Sequence, residues 1–286
     1  MDEKCTERLQ FENPWRTVTW TPEERKKLME KIKSYKHPKS SLFNARILVV
    51  GAVGAGKSSF FNSFKSVFRG HVTNQGMAGN LSGKSLTTQF CSFTVKPEPE
   101  GESLPLVICD TMGLEADEER GIHIDDITNV INGHVLEGYQ FNPSVPLKRD
   151  AHGFRKNPKL KDKIHCVAYV VDATNVSIMP QNMEKKLKAT RKTVNSSRVP
   201  QLVLLTKIDE ACPLVKKNIR KVYKSTYIKE LMQEASARVG VPLSCVVPVK
   251  NYSEELELDM NTDILLLHAV VQILRLLDDF FDEPRG

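Results

Sequence analysis

Apolar residues along the chain form short runs that alternate with longer stretches in which an apolar residue recurs every three or four positions. Short runs bounded by turn residues are typical of buried strands, and the longer spacing is typical of amphipathic helices. We predict strands at residues 46–50, 89–96, 106–110, 164–172, 201–206 and 244–249, and helices at about 58–68, 123–132, 181–195, 214–238 and 261–282. Because strands and helices alternate, the predicted fold class is three-layer α/β, with a mainly parallel sheet of about six strands.

A further helix is predicted ahead of the first strand. Thr21 can cap its amino terminus, Pro22 suits its first turn, and Glu24 stands at the capping-box position. The apolar residues expected to pack this helix on the rest of the chain are Leu28, Met29 and Ile32. We therefore predict an N-terminal extension at residues 1–42 with one helix, and one large domain at residues 43–286.

Eight residues between the first predicted strand and the next helix, GAVGAGKS, complete the pattern G-x-x-x-x-G-K-S. The glycines let the backbone bend and direct its N–H groups inward, while Lys57 supplies a cation and Ser58 a hydroxyl for a metal. The strand before it and the helix after it favour a phosphate-binding loop over a glycine-rich turn that matches by chance. The nucleotide-binding residues predicted in this loop are Gly51, Val53, Gly54, Ala55, Gly56, Lys57, Ser58 and Ser59.

An acidic residue at the end of a neighbouring strand would help to hold magnesium beside a bound triphosphate. Asp110 ends such a strand, and the backbone N–H of Gly113 three residues later could contact the γ-phosphate. Asp and Gly are also common turn residues, so the pattern D-x-x-G gains its weight from the phosphate loop that precedes it. Magnesium is predicted to be held by Ser58, Thr88 and Asp110.

The choice of Thr88 depends on its place just before the second strand. Thr87 stands there too, and Thr73 lies in the longer loop at residues 70–83, which is rich in Gly and Asn as a switch segment is. We favour Thr88, with the alternative that it only begins a strand.

Base selection is predicted at Thr206, Lys207 and Asp209, which follow the apolar strand QLVLL. An aspartate there can accept hydrogen bonds from N1–H and from the exocyclic amine of guanine, and adenine offers no matching pair of donors. Lys207 would lie along the base plane. The predicted ligands are therefore GTP or GDP with Mg²⁺, and the alternative is a strand end with a surface ion pair.

These three elements, in this order, resemble the translation-factor-like branch of P-loop GTPases. In that branch a fifth element, usually S-A-K, follows the last strand of the sheet. Here the position carries Pro-Val-Lys-Asn-Tyr, so support for the edge of the base would fall to Lys250 or Asn251. The resemblance implies a Ras-like G domain at residues 43–286 of the chain.

Longer strings resemble the interferon-induced protein 44 family over essentially the whole chain. They are PWR followed by Trp20, GAVGAGKSSFFNSFKSVF, CDTMGL, INGH, FNP, KIHCVAYVVDA, LLTKIDEACP and VKNYSEE. This resemblance implies a cytoplasmic, interferon-inducible, GTP-binding-like protein of antiviral or immune regulation.

Leu114 bears on whether GTP is hydrolysed. It stands directly after D-x-x-G, where many small GTPases carry a glutamine that orients the attacking water, and an isobutyl group cannot do so. Val53 likewise fills a loop position that is often glycine. Two hypotheses remain open: a slow or partner-assisted GTPase, and a nucleotide-regulated or pseudo-GTPase scaffold that acts through protein contacts.

Residues 115–163 form a stretch longer than a simple crossover needs. Recognition of a protein partner, or a solvated loop folded over the sheet edge, would each account for it. The wider sequence has a net charge of +6, concentrated at residues 185–192 and 216–224. Clusters of this kind can contact acidic lipid, nucleic acid or an acidic partner, but we favour solvated outer helix faces and do not expect nucleic acid as a partner. Self-association remains open.

The composition indicates a soluble, intracellular chain. No run of eighteen apolar residues is present, and the first ten residues, MDEKCTERLQ, are rich in charged side chains. Neither membrane insertion nor a secretory signal is therefore expected. Six cysteines show no spacing typical of a zinc site, and we expect them to be reduced. Four of them fall inside predicted strands: Cys91, Cys109, Cys166 and Cys245.

Overall fold

A six-stranded sheet forms the centre of the molecule. The computed structural model describes residues 10–37, 43–73, 88–97, 100–117 and 120–282. The strands are β1 (Ala45–Gly51), β2 (Cys91–Thr94), β3 (Leu106–Asp110), β4 (Cys166–Asp172), β5 (Gln201–Thr206) and β6 (Val246–Pro248), and they lie in the order β2-β3-β1-β4-β5-β6. Only the β2–β3 pair is antiparallel. The sheet confirms the predicted α/β fold with a mainly parallel sheet of six strands.

Helices separate the strands along the chain. They are α1 (Pro22–Lys33), α2 (Lys57–Arg69), α3 (Ile124–Ile131), α4 (Gln181–Ser196), α5 (Ile208–Ala211), α6 (Pro213–Lys217), α7 (Thr226–Val239) and α8 (Met260–Asp282). The central strands β3 and β4 are buried at every position, as expected of parallel strands covered on both faces. In the described part of the chain, no helix combines the length and the apolar character needed to cross a membrane.

The parallel register brings the carboxyl ends of four strands to one edge of the sheet. Val49 lies opposite Asp110, Gly51 lies opposite Val170, and Asp172 lies opposite Thr206. Ligands of open parallel sheets bind at this kind of edge. The predicted phosphate loop therefore begins beside the ends of β3 and β4.

The single helix predicted at residues 214–238 is wrong, because the chain turns twice within that range. Asn218 is extended (φ −155°, ψ 104°), and its side chain accepts a hydrogen bond from the Arg220 N–H, which ends α6. Ser225 then caps α7 by accepting from the Ile228 N–H at 3.1 Å. Asn and Ser compete with helical hydrogen bonds in this way, and a pattern of apolar spacing does not reveal it.

The last strand begins later than predicted. Residues Leu243–Cys245 form a 3-10 turn after Pro242, and β6 starts at Val246. Cys245 therefore lies outside the sheet, in contrast to Cys91, Cys109 and Cys166, which lie in strands as predicted.

The segment before β1 packs on the rest of the molecule. Helix α1 contacts α8 and buries Leu28 and Ile32, while Met29 packs at the edge of the core. Upstream of α1, the Trp15 N–H donates to the Tyr223 carbonyl (3.1 Å), and the two rings meet edge to face. The two ends of this segment therefore contact different parts of the domain.

The long stretch between β3 and β4 covers part of the free edge of β2. Phe141 N–H donates to Thr88 O (2.9 Å), and Phe90 exchanges hydrogen bonds with Gly138 and Tyr139. Glu137 accepts from the Ser92 N–H through its carboxylate (2.7 Å). Part of the segment is thus folded over the sheet edge, and exposed strand edges are commonly protected in this way. Recognition of a protein partner by this segment stays a prediction.

Candidate functional site

The phosphate loop has the backbone that an anion site requires. Gly54 and Gly56 have φ angles of +76° and +96°, a region that favours glycine. Gly56 is the N-cap that precedes α2 and has no side chain, so the first N–H groups of this 13-residue helix lack a capping side chain. These donors and the positive end of the helix dipole fit a phosphate group.

Lys57 lies buried in the turn of this loop. Its Nζ donates to the carbonyls of Gly51 and Ala52, each at 3.0 Å. Burial lowers the pKa of Lys57, and the nearby Asp110 carboxylate acts in the opposite direction. A cation held here against backbone carbonyls can turn to phosphate oxygens when a nucleotide is bound.

Gly113 lies against the same loop. A methyl group added at Gly113 would come within 2.9 Å of Val53 Cγ2 and 3.2 Å of Lys57 Nζ. The absence of a side chain at this position therefore keeps space open beside the ammonium group. Gly113 is the residue whose backbone N–H is predicted to contact the γ-phosphate.

Ser58 and Asp110 are two of the three residues predicted to hold magnesium. Ser58 is partly exposed in the first turn of α2, and Asp110 is buried at the end of β3, where its Oδ1 accepts from the Thr111 N–H (2.9 Å). A hydroxyl and a carboxylate suit Mg²⁺, which usually completes its shell with water and phosphate oxygens. These residues therefore fit the metal.

Of the three candidate switch threonines, Thr87 lies outside the described residues. Thr88 is held through its carbonyl by Phe141. Thr73 is buried against α2, where its N–H donates to Ser66 Oγ at 2.8 Å. The contacts of Thr73 are thus with the carboxyl-terminal half of the helix, whereas Lys57 stands at the other end.

Thr206 joins the predicted base-binding element to the phosphate loop. Its hydroxyl is fully buried and lies 2.6 Å from the Ala55 carbonyl, to which it donates, and 3.2 Å from the Val171 carbonyl. Asp209 follows in the first turn of α5 and is partly exposed. No described residue forms a hydrogen bond or an ion pair with the Asp209 carboxylate, so its oxygens remain available to a ligand.

Lys207 is held by a residue that the sequence reasoning missed. Its backbone is left-handed (φ +55°), and its Nζ pairs with Asp172 Oδ2 at 2.7 Å. Burial opposes ionisation of Asp172, yet the hydrogen bonds from Lys207 and Thr174 lower its pKa overall. The signal in the sequence that could have identified Asp172 is its position at the end of the strand before β5.

The two alternatives for the fifth element face different ways. Asn251 Nδ2 donates to the Gly56 carbonyl at 3.3 Å, so its side chain touches the phosphate loop. Lys250 instead pairs with Glu255 at 2.9 Å. Of the two, Asn251 is the residue that the structure brings to the loop.

The backbone of Leu114 pairs with the phosphate loop. Leu114 N–H donates to the Gly51 carbonyl (3.0 Å), and the Val53 N–H donates to the Leu114 carbonyl (3.3 Å). The Leu114 side chain is buried in the core, with 1% of its surface exposed. The Val53 amide is therefore engaged by the segment that follows β3.

Two other polar side chains after β3 make local contacts. Arg120 is exposed and pairs with Asp117 at 3.5 Å. His123 caps α3, where its ring nitrogen accepts from the Asp125 N–H at 3.2 Å. The first contact lies between β3 and α3, and the second lies at the start of α3.

Comparison with curated proteins identifies relatives over most of the chain. Human interferon-induced protein 44-like is 38% identical over 261 residues, which is 91% of this chain and 58% of that protein. Human interferon-induced protein 44 is 35% identical over 94% of this chain, and the mouse protein of the same name is 30% identical over 90%. The chain spans about 58–60% of the length of these relatives. No protein-family model matches it.

Two solved structures are similar in part. A probable GTP-binding protein, engB, aligns with 82% of this chain and 100% of its own length, at 13% identity and a TM-score of 0.43. The FeoB G-domain of Methanococcus jannaschii aligns with 82% of this chain and 98% of its own, at 16% identity and a TM-score of 0.36.

Proposed function

Because the resemblance to the interferon-induced protein 44 family is confirmed over nearly the whole of this chain, we propose that the chain is a guanine-nucleotide-binding unit of an interferon-induced response. It binds GTP or GDP together with Mg²⁺. Hydrolysis of GTP is slow, or it depends on a partner.

One observation carries this proposal: the hydrogen bond from Thr206 to the Ala55 carbonyl of the phosphate loop. The two residues are 151 positions apart in the chain. The bond ties the segment that contains Asp209 to the segment that would hold the phosphates. A base and its phosphates must be held at a fixed separation, and this contact provides one.

Each residue of the site then has a definite task. The amides of the loop and the Lys57 ammonium offset the charge of the phosphates, and Asp209 accepts from the guanine edge. Ser58 and Asp110 hold Mg²⁺, with Thr88 as the third protein group. The metal, when bound, stabilises negative charge on the phosphate oxygens.

Hydrolysis is the less supported part of the function. The Leu114 side chain is buried, and its backbone is paired with Gly51 and Val53. No group in this position orients a water molecule. This observation favours a second candidate function, a nucleotide-regulated scaffold that acts through contacts with a protein partner or a second copy, without significant hydrolysis.

We propose the biological process and the cellular location of this chain from its relatives. Their printed names connect them to interferon induction, and we extend that connection to an antiviral or immune role for this chain in the cytoplasm. Because the chain covers only part of their length, the activity of a longer protein would include contributions from other segments.

The two functions are separated by one experiment. Purified protein is incubated with GTP and Mg²⁺ at several protein concentrations, and both bound nucleotide and released phosphate are measured. Binding with slow release at a constant rate per protein molecule supports a slow GTPase, and a rate per molecule that rises with protein concentration supports hydrolysis assisted by a second copy. Binding without release supports the scaffold, and failure to bind GTP or GDP refutes both.

Asp209→Asn tests the base assignment. The amide presents a donor where the carboxylate accepts, so guanine binding should weaken and xanthine binding should improve. The comparison of GDP with xanthosine diphosphate in a competition assay checks this. An unchanged preference for guanine would remove Asp209 from the site.

A further inference from the structure

We propose that Arg25, in the N-terminal segment, is a positioning residue for the nucleotide site and acts on the phosphate loop through Asp263, Tyr252 and Asn251. The inference rests on the proposed function and adds a means of regulation to it. Through this chain of contacts, the segment at residues 10–37 sets how tightly the nucleotide is held.

The first contact joins α1 to α8. Arg25 Nε donates to Asp263 Oδ2 at 2.7 Å, and the Asp263 side chain is 1% exposed. A buried carboxylate is costly unless it is paired and hydrogen-bonded. Its place in the first turn of α8 also lets the helix dipole stabilise the charge. Removal of Arg25 would therefore leave a buried charge without its cation.

The second contact joins Asp263 to the loop after β6. The Tyr252 hydroxyl donates to Asp263 Oδ1 at 2.6 Å and accepts from the Asp259 N–H at 2.8 Å. Both oxygens of the carboxylate are thus engaged, one by Arg25 and one by Tyr252. The Tyr252 backbone N–H also donates to Ser63 Oγ on α2 at 2.8 Å. This loop is therefore fixed on two sides.

The third contact reaches the phosphate loop itself. Asn251, next to Tyr252 in the chain, donates to the Gly56 carbonyl at 3.3 Å. A methyl group on Gly56 would lie 3.0 Å from Asn251 Nδ2, so the fit is close. Gly56 is the left-handed residue at the N-cap of α2. A shift of Asn251 would change the direction of the loop amides.

The segment at residues 10–37 also contacts the other end of β6. The Arg16 guanidinium donates to the carbonyls of Leu243 (2.6 Å) and Val246 (2.7 Å), and it stacks over the Trp15 ring at 4.8 Å. Strand β6 and the loop after it are thus held from both ends by residues 10–37. Because linkage is reciprocal, whatever binds or displaces this segment changes nucleotide affinity, and nucleotide changes the binding of the segment.

The test compares Arg25→Gln with Lys26→Gln, the neighbouring residue on α1, whose side chain is 80% exposed. Affinity for GDP is measured with a fluorescent GDP analogue, and melting is recorded without nucleotide. We expect Arg25→Gln to weaken GDP binding by about 3–10-fold, the effect of a displaced support. Arg25→Lys should restore part of it, and Lys26→Gln should bind as the wild type does.

A double variant separates positioning from a loss of stability. If Arg25 acts through Asn251, the variant Arg25→Gln/Asn251→Ala should bind GDP no more weakly than Asn251→Ala alone, because the two changes share one path. Effects that multiply would overturn the inference, even if melting falls in both single variants.

Amide hydrogen exchange of residues 54–59 in nucleotide-free protein adds an independent measurement. It should be faster in Arg25→Gln than in Lys26→Gln. Equal exchange in the two variants would overturn the inference, whereas failure of the wild type to bind GDP would refute the proposed function instead.

Discussion

The hydroxyl of Thr206 offers the sharpest test of how the site is built. Thr206→Val keeps the branched shape of a fully buried side chain and removes the donor to the Ala55 carbonyl at 2.6 Å. No other described residue donates to that carbonyl, and Ala55 is 2% exposed. The substitution should therefore leave a buried acceptor unpaired.

The expected loss of stability follows from the unpaired carbonyl of Ala55. A buried acceptor that loses its donor costs about 1–3 kcal/mol of unfolding free energy. In a chain of this size, 1 kcal/mol shifts the melting temperature by about 2–4 °C. We therefore expect the melting temperature to fall by about 2–12 °C. Affinity for GDP should fall as well, because the same bond holds the phosphate loop to the base-binding element.

Thr190→Val is the matched control. Thr190 is also fully buried, and its hydroxyl donates to the Lys186 carbonyl at 2.9 Å within α4. That carbonyl lies inside the helix, where the backbone N–H of residue 190 also bonds it. The control should change stability by only about 0.5 kcal/mol. Equal melting of the two variants, measured by differential scanning calorimetry, would refute the reasoning about Thr206.

Three further changes probe other parts of the site. Lys57→Met should weaken GDP binding by about 10–100-fold, since a charge-assisted hydrogen bond to phosphate is lost, and unchanged affinity would contradict this prediction. The melting temperature without nucleotide should not fall, because burial disfavours the charged form of Lys57 and lowers its pKa. Leu114→Gln should destabilise the fold by about 2–4 kcal/mol, because it places a polar group at a buried apolar position. Phosphate release should not become faster, and a faster release would show that this position contacts the attacking water. Burial raises the pKa of Glu255, but the Ser253 N–H and Lys250 outweigh it and bring the pKa from 4.5 to about 2. The stabilisation from Glu255 is therefore present above pH 4.5 and lost as pH falls toward 2. Urea unfolding of the wild type and Glu255→Gln should converge over that range, and a constant difference would exclude the ion pair.

The sheet and the phosphate loop could be predicted because their signals are local. Short apolar runs indicate buried strands, and the strand, loop and helix around Lys57 are contiguous in the sequence. The break in the predicted helix at residues 214–238 could not be read in that way. There the side chain of Asn218 bonds a backbone N–H and competes with the helix, although the apolar spacing continues through Ile219 and Val222.

The contact of Asp172, which the sequence did not reveal, and the choice between Lys250 and Asn251 depend on register and on distant contacts. Asp172 reaches Lys207 because β4 and β5 are parallel neighbours in which Asp172 lies opposite Thr206. Asn251 meets Gly56 across 195 positions of the chain. Nothing in the local sequence distinguishes Asn251 from Lys250, and the hydrogen bonds of Tyr252 with Asp263 and Ser63 hold the segment that carries Asn251 beside the loop.

Selective binding of a guanine nucleotide is the central claim. Its most direct test is displacement of a fluorescent GDP analogue from the wild-type chain, in the presence of Mg²⁺, by increasing concentrations of GDP and of ADP. We predict that GDP displaces the analogue at concentrations at least tenfold below those of ADP, a difference of about 1.4 kcal/mol. Equal displacement by both nucleotides, or no binding of the analogue, would contradict the account.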